Sequence, residues 1–271
     1  MPELPEVETT LQGILPHLVN QKIQKVVIRN RNLRWPIPRH LAKSLTDKTV
    51  IGVSRRAKYL LIDVGTGTLI IHLGMSGRLH IVATDVPHGK HDHVDILVAG
   101  GKLLRFRDPR RFGCFLWARD DPLKHKLLQR LGVEPLSPEY NGEFLYRSSR
   151  GRRVAVKSFL MNQQVVVGIG NIYANEALFF SRIHPFSQVN RIGLARYQRL
   201  VDCCKTVLRA AIKSGGSSLK DFTQADGKPG YFTQSLAVYD KQGQPCLRCG
   251  KLIRREVVVQ RATYYCPCCQ R

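Results

Sequence analysis

The apolar residues change their period near residue 130, and no other feature of the chain restricts its fold as much. Before that point lie seven short runs rich in β-branched and aromatic residues: KIQKVVIR, KYLLIDV, TLIIHLGM, RLHIV, HVDILVA, KLLRFR and FGCFLWA. Runs of this kind, broken by Gly or Asp, predict strands. With few helical patterns between them they predict an antiparallel β-sandwich. Beyond residue 142, EFLYRSSRGRRVAVKSFLMN, GNIYANEALFFSR and LARYQRLVDCCKTVLRAAIKSGG place their apolar residues at helical spacing, and the last stops on Gly-Gly. The fold class is therefore α+β and multidomain, strands first and helices after.

A helix also precedes the strands. Val7, Leu11, Ile14 and Leu18 recur at helical spacing, Pro5 suits a first turn, and Glu6 and Glu8 suit the positive end of a helix dipole. The pattern predicts a helix from about Pro5 to His17, with residues 2 and 3 held at its mouth. The opening MPELPEVETT has neither the basic start nor the apolar run of an export signal. We place the β-domain at 1–131, a hinge at 132–142 in the Pro- and Gly-bearing LGVEPLSPEYNG, a helical domain at 143–236 and a Cys-rich module at 237–271. Within the helical domain, SSLKDFTQADGKPGYFTQ reads as a polar, mobile loop.

Composition narrows the partner. The chain carries 43 Lys and Arg against 20 Asp and Glu, a formal charge of +23 spread along its length. Such an excess calls for a polyanion, either nucleic acid or an anionic membrane. No basic amphipathic anchor, lipidation motif or membrane-length apolar run is visible, which favours nucleic acid.

Five of the eight cysteines fall in the last 26 residues. Cys246-x2-Cys249 and Cys266-x2-Cys269, sixteen residues apart, can place four thiolates around one tetrahedral Zn²⁺. The intervening KLIRREVVVQRATYY predicts a hairpin, hence a zinc ribbon, and four thiolates leave no position for a reactive water: the site is structural. Cys268 is an alternative fourth ligand, but Cys269 repeats the spacing of the first knuckle. Arg254, Arg255 and Arg261 on the hairpin are placed to offer guanidinium groups to phosphate.

Three further motifs bear on the partner. In GIGNIYANEALF a dinucleotide fingerprint lacks its third glycine, Tyr173 standing there, but a Gly-flanked helix start can aim Asn171 and backbone N–H groups at phosphate. HLGMSG and DPRRFG set Met75, Arg110 and Phe112 beside glycines, a trio suited to wedging into a stacked duplex. KHDHVD puts His91 and His93 on one side of a predicted strand, fit for hydrogen bonding or phosphate contact rather than a second metal.

PELPEVET, RRAKYLL, HLGMSG, KHDHVD, DPRRFG, GIGNIYANEALF, ADGKPGYF and the four-Cys ribbon occur together and in order. With them the chain resembles the bacterial formamidopyrimidine-DNA glycosylases over essentially its full length. The resemblance implies an N-terminal β-sandwich with a flanking helix, a helix–two-turn–helix domain and a zinc ribbon with one structural Zn²⁺. It implies a bacterial, cytoplasmic, monomeric base-excision repair enzyme whose partner is damaged double-stranded DNA and whose substrates are 8-oxoguanine and formamidopyrimidines. Removal of Met1 would expose the Pro2 amine as nucleophile. An α-amino group titrates near pH 7.7–8.0, whereas a lysine at about 10.4 would need a large shift to serve.

The resemblance further implies Glu3 as proton donor, Lys58 at the scissile phosphate as the acid of β-elimination, and Arg261 at the δ-elimination phosphate. Glu6 falls in the lesion pocket, and His72, His91, Arg152 and Asn171 match DNA-backbone contacts. Met75, Arg110 and Phe112 match the trio that fills the gap left by an extruded nucleotide, and 217–232 the loop that closes over it. Two other readings exist. Relatives of the endonuclease VIII type act on oxidised pyrimidines but open closer to PEGPE, against Leu4 here; a non-catalytic zinc-ribbon DNA binder would not need Pro2, Glu3 and Lys58. One position departs from the pattern: Asn162 stands where an acidic residue is common.

Overall fold

The computed structural model describes residues 2–216 and 235–271; Met1 and the loop expected at 217–232 lie outside these residues. The chain divides into two compact units. The first runs to Gln129 and takes in Ser214–Gly216, and the second comprises Arg130–Lys213 and the residues from 235 onward.

The first unit opens with helix α1, Leu4–Leu18, one residue longer at each end than its periodicity predicts. Pro5 occupies the first turn, where a missing N–H costs nothing, and Leu4, Val7, Leu11, Ile14 and Leu18 form the buried face. Burying each of these side chains is worth about 2 kcal/mol. Helix α2, Leu41–Leu45, is short.

Eight strands follow in two antiparallel sheets. One has the order β1 (Ile23–Ile28), β6 (Asp92–Val98), β7 (Lys102–Arg107), β5 (Arg78–Ala83); the other β2 (Gly52–Arg56), β3 (Tyr59–Asp63), β4 (Thr68–His72), β8 (Cys114–Ala118). They share one apolar core: Ile23, Val94, Ile96 and Phe106 from the first sheet meet Leu60, Ile62, Leu69, Ile71 and Phe115 from the second, together with α1. This is the β-sandwich with a flanking helix. The strand missing from the sequence expectation is β2, GVSRR, whose glycine, serine and arginines carry no β signature. Pairing with β3, from Gly52↔Asp63 to Arg56↔Tyr59, makes it a strand.

The second unit is helical: α3 (Gly142–Ser149), α4 (Val156–Leu160), α5 (Asn171–Phe180) and α6 (Leu194–Lys213). The continuous helical pattern over 143–162 is interrupted in the structure. Gly151 takes φ +73 and the chain turns before Val156, so α3 and α4 are separate. Helix α6 stops where Gly215 and Gly216 take φ +73 and +82, as the Gly-Gly pair predicts. The unit closes with the ribbon hairpin, β9 (Arg254–Val258) and β10 (Arg261–Tyr265). None of the described helices is long and apolar enough to cross a membrane.

Candidate active site and metal centre

The first helix ends in a buried cluster of carboxylates. Glu3 is the N-cap of α1, and Glu6 Oε2 accepts from the Glu3 amide at 2.8 Å, closing a capping box over the first turn. Glu3 and Glu6 are 3% and 2% exposed. The positive end of the helix dipole offsets part of the cost of burying them. Pro2, also buried, directly precedes this turn in the chain. Gly216, at φ +82, lies against Glu6: a Cβ there would come within 3.3 Å of Glu6 Cγ.

Lys58 sits in the two-residue turn between β2 and β3, after Ala57 at φ +54, and is 7% exposed. Arg55 Nε contacts Glu8 Oε2 at 2.7 Å, tying the β2 end of this hairpin to α1. Across the β3–β4 ladder, His72 pairs with Tyr59, their rings 4.8 Å apart. His72 Nδ1 accepts from the Gly74 amide at 2.9 Å. Burial, then the charges of Lys58 and Arg34, hold its pKa down to about 4. His72 is therefore neutral near pH 7, with its proton on Nε2, a donor suited to a phosphate oxygen.

Met75 lies in the β4–β5 loop, and Arg110 and Phe112 lie in the β7–β8 loop. All three are surface groups: Met75 is 36% and Phe112 40% exposed, and the Arg110 guanidinium lies 4.9 Å over the Phe112 ring. The two loops that carry them approach through their main chains, Gly74 lying against the Phe112 backbone. The two histidines of KHDHVD do not share a strand face. His91 is half-buried in the turn before β6, while His93 is buried at a register shift and bonds the Asp108 carbonyl through Nε2 at 2.8 Å. That is a hydrogen-bonding role for His93.

In the second unit the exposed Arg261 begins β10, and the two side chains that hold its neighbour come from the helices. Lys157 Nζ of α4 donates to the Ala262 carbonyl and to Thr263 Oγ1, both at 2.8 Å. Asn171 Nδ2, at the start of α5, donates to the same Ala262 carbonyl at 3.0 Å. Asn171 thus spends one amide proton on the hairpin. Arg152 is exposed, its guanidinium 5.7 Å over the Phe159 ring. Asn162 Oδ1 accepts from the Gln164 amide at 2.9 Å, a turn that an aspartate would form equally well. Sequence reading passed over Lys157 and Asp108; the only local signal was a charge amid apolar neighbours in VAVKSFL for the first, and none for the second.

The sulfurs of Cys246, Cys249, Cys266 and Cys269 all lie within 4.8 Å of one another, and Cys268 is exposed and outside the set. Pairs at 3.9 Å (Cys246–Cys269) and 3.4 Å (Cys249–Cys266) bracket the ~3.8 Å edge of a tetrahedron built on Zn–S bonds of about 2.3 Å. Amides of Arg248 and Cys269 point at the Cys246 and Cys266 sulfurs, each at 3.4 Å, as outer partners that steady thiolates. The donor set fits one structural Zn²⁺. Glu176 of α5 braces the approach to this module by accepting from the amides of Ala237, Val238 and Tyr239 at 2.8–3.0 Å.

Three family models cover the chain: the formamidopyrimidine-DNA glycosylase N-terminal domain over 1–115, the H2TH domain of the same glycosylases over 131–223, and a zinc finger found in FPG and IleRS over 243–271. A formamidopyrimidine-DNA glycosylase of Nitrosococcus oceani is 54% identical over 270 residues, and one of Alcanivorax borkumensis 55% over 271, each covering 100% of both chains. The structure is similar to that of Lactococcus lactis Fpg in complex with an abasic site containing DNA, with TM-score 0.91, 35% identity and 99% of both chains covered. With domain models in this order and relatives alike from end to end, the chain belongs to the formamidopyrimidine-DNA glycosylase family.

Proposed function

We propose that this protein is a bifunctional base-excision repair enzyme that removes oxidised purines from duplex DNA and then cleaves the abasic strand. The observation that supports the proposal is the buried capping box of Glu3 and Glu6, which closes the helix turn directly after the buried Pro2, on a helix packed into the core. Relatives named for the glycosylase activity, and a similar structure bound to DNA with an abasic site, support the substrate class.

Once Met1 is removed, the Pro2 lone pair attacks C1′ of the damaged nucleotide. The glycosidic bond breaks with its electrons on the base, and Glu3 supplies the proton that accompanies base release and ring opening. Loss of the Pro2 N–H proton and cleavage of the C1′–O4′ bond, its electrons leaving on the ring oxygen that is protonated, then give an iminium between Pro2 and C1′. This electron sink acidifies C2′–H; loss of that proton expels the 3′ phosphate, and a second elimination expels the 5′ phosphate. Lys58 serves the scissile phosphate. Arg261 binds the phosphate of the second elimination, since a guanidinium does not readily give up a proton. His72, His91, Arg152 and Asn171 contact the DNA backbone, Glu6 borders the lesion pocket, and Met75, Arg110 and Phe112 fill the gap left by the extruded nucleotide.

Borohydride reduction during turnover tests the reading. It should convert the iminium to a stable amine and cross-link Pro2 to DNA carrying 8-oxoguanine opposite cytosine, in preference to DNA carrying thymine glycol. A zinc-loaded, Met1-free preparation that forms no adduct on either duplex would contradict it.

A further inference from the structure

We propose that Asp108 is the positioning residue of the exposed trio: its carboxylate clamps the loop of Met75 to the loop of Arg110 and Phe112, and so sets the pose in which they enter a duplex. This rests on the wedge reading given above. Asp108 is fully buried, and among the described residues each hydrogen bond its side chain accepts comes from one of the two loops. Oδ1 accepts from Ser76 Oγ at 2.7 Å and from the Arg110 amide at 3.3 Å; Oδ2 accepts from the Gly113 amide at 2.8 Å. Ser76 is the residue after Met75, and Gly113 the residue after Phe112. One carboxylate therefore holds a group on or directly beside each member of the trio.

The backbone of Asp108 extends the clamp. Its amide donates to the His91 carbonyl at 3.0 Å, and its carbonyl accepts from His93 Nε2 at 2.8 Å and from the Arg111 amide at 3.2 Å. Below the trio the loops touch through their main chains. A Cβ on Gly74, which has φ +68, would sit 2.4 Å from the Phe112 carbonyl carbon. Arg111, between Arg110 and Phe112, is held at φ +58, a conformation that persists only when its surroundings impose it. A buried carboxylate with charge-assisted hydrogen bonds is strong enough to impose it. An unclamped trio with this much apolar exposure would collapse onto the surface or sample many rotamers, and inserting it would then require ordering it first.

The test uses full-length, zinc-loaded protein and a duplex with a fluorescent cytosine analogue opposite 8-oxoguanine, which brightens when the trio displaces it from the stack. Asp108→Asn keeps the shape but turns one acceptor into a donor; Ser76→Ala removes one link and keeps the fold. We expect Asp108→Asn to slow the fluorescence rise about tenfold and Ser76→Ala about threefold. The ratio of abasic-site cleavage in duplex to that in single-stranded DNA should fall by the same factors, because a single strand has no opposing base to displace.

Phe112→Ala separates this proposal from the reading it rests on. If Phe112→Ala leaves the rise unchanged, the wedge reading fails and the clamp with it. If Phe112→Ala slows the rise while folded Asp108→Asn and Ser76→Ala do not, the clamp alone is overturned. Equal losses on duplex and single strand in a folded Asp108→Asn would make Asp108 a general support and also overturn it. Should Asp108→Asn not fold, as shown by thermal melting, the Ser76→Ala ratio decides.

Discussion

The two ends of the chain hold their chemistry by different means. At the start, Glu3, Glu6 and Lys58 sit on a helix and a tight hairpin whose apolar faces belong to the sandwich core. Near the end, Arg261 rides on a two-stranded hairpin over a small apolar cluster that includes Val238, Ile253 and Tyr264, steadied by four thiolates and by two side chains that reach it from helices. A large core secures the first arrangement; a small one, four thiolates and a few directed bonds secure the second. The first should therefore withstand changes that remove the second.

Zinc removal should break the comparison open most widely. Structural zinc contributes roughly 10 kcal/mol or more to small modules of this kind. Chelation, or Cys269→Ser, should unfold the hairpin and abolish DNA binding. The far-ultraviolet strand signal and melting of the first unit should persist, and Cys268→Ser should keep its zinc by mass spectrometry. The converse comes from the other end. One extra residue ahead of Pro2 turns its amine into an amide. Borohydride trapping should then fall by about 10³-fold or more, while DNA affinity measured by fluorescence anisotropy changes little.

A finer cut is Lys157→Met. It removes the donor to the Ala262 carbonyl and to Thr263 Oγ1, at a cost of about 1–3 kcal/mol. The loss should appear in the melting of the second unit and in weaker DNA binding, with the first unit untouched. Acid should sharpen the comparison from the opposite side. Because folding lowers the pKa of His72 to about 4, the unfolded chain takes up a proton that the folded chain refuses as pH falls from about 6.5. The first unit should lose on the order of 1–2 kcal/mol between pH 7 and pH 5 from this group. His72→Gln should flatten that part of its stability curve in urea titrations.

The smallest effect is expected at the hairpin tip. Val259 and Gln260 form a two-residue turn at φ +46 and +60, which a β-branched residue adopts at a cost. Replacing the pair with Asn-Gly should raise the melting of the second unit, by no more than about 1 kcal/mol.

What could be read from the sequence was what neighbours in sequence decide. The helical spacing of Val7, Leu11, Ile14 and Leu18, the first-turn proline, the Gly-Gly stop and the Cys-x2-Cys pairs are local, and the structure repeats them. Strand β2 was missed because its reason to be a strand lies in β3, and the helical run over 143–162 was joined because a single glycine interrupts it. The partners of Asp108 and Lys157 were hidden for the same reason on a longer scale. Asp108 meets Ser76 from 32 residues away, and Lys157 meets Ala262 from 105. A sequence shows which residues are charged; only the fold shows which charges are buried and against what.

The shared Ala262 carbonyl has a consequence for modularity. Zinc ribbons look like cassettes, closed by their own metal and free to move between proteins. Here the backbone next to Arg261 is fastened by Lys157 and Asn171, which belong to helices far upstream. A ribbon grafted onto another scaffold would fold around its zinc and carry the arginine with it, yet leave behind the parts that aim it.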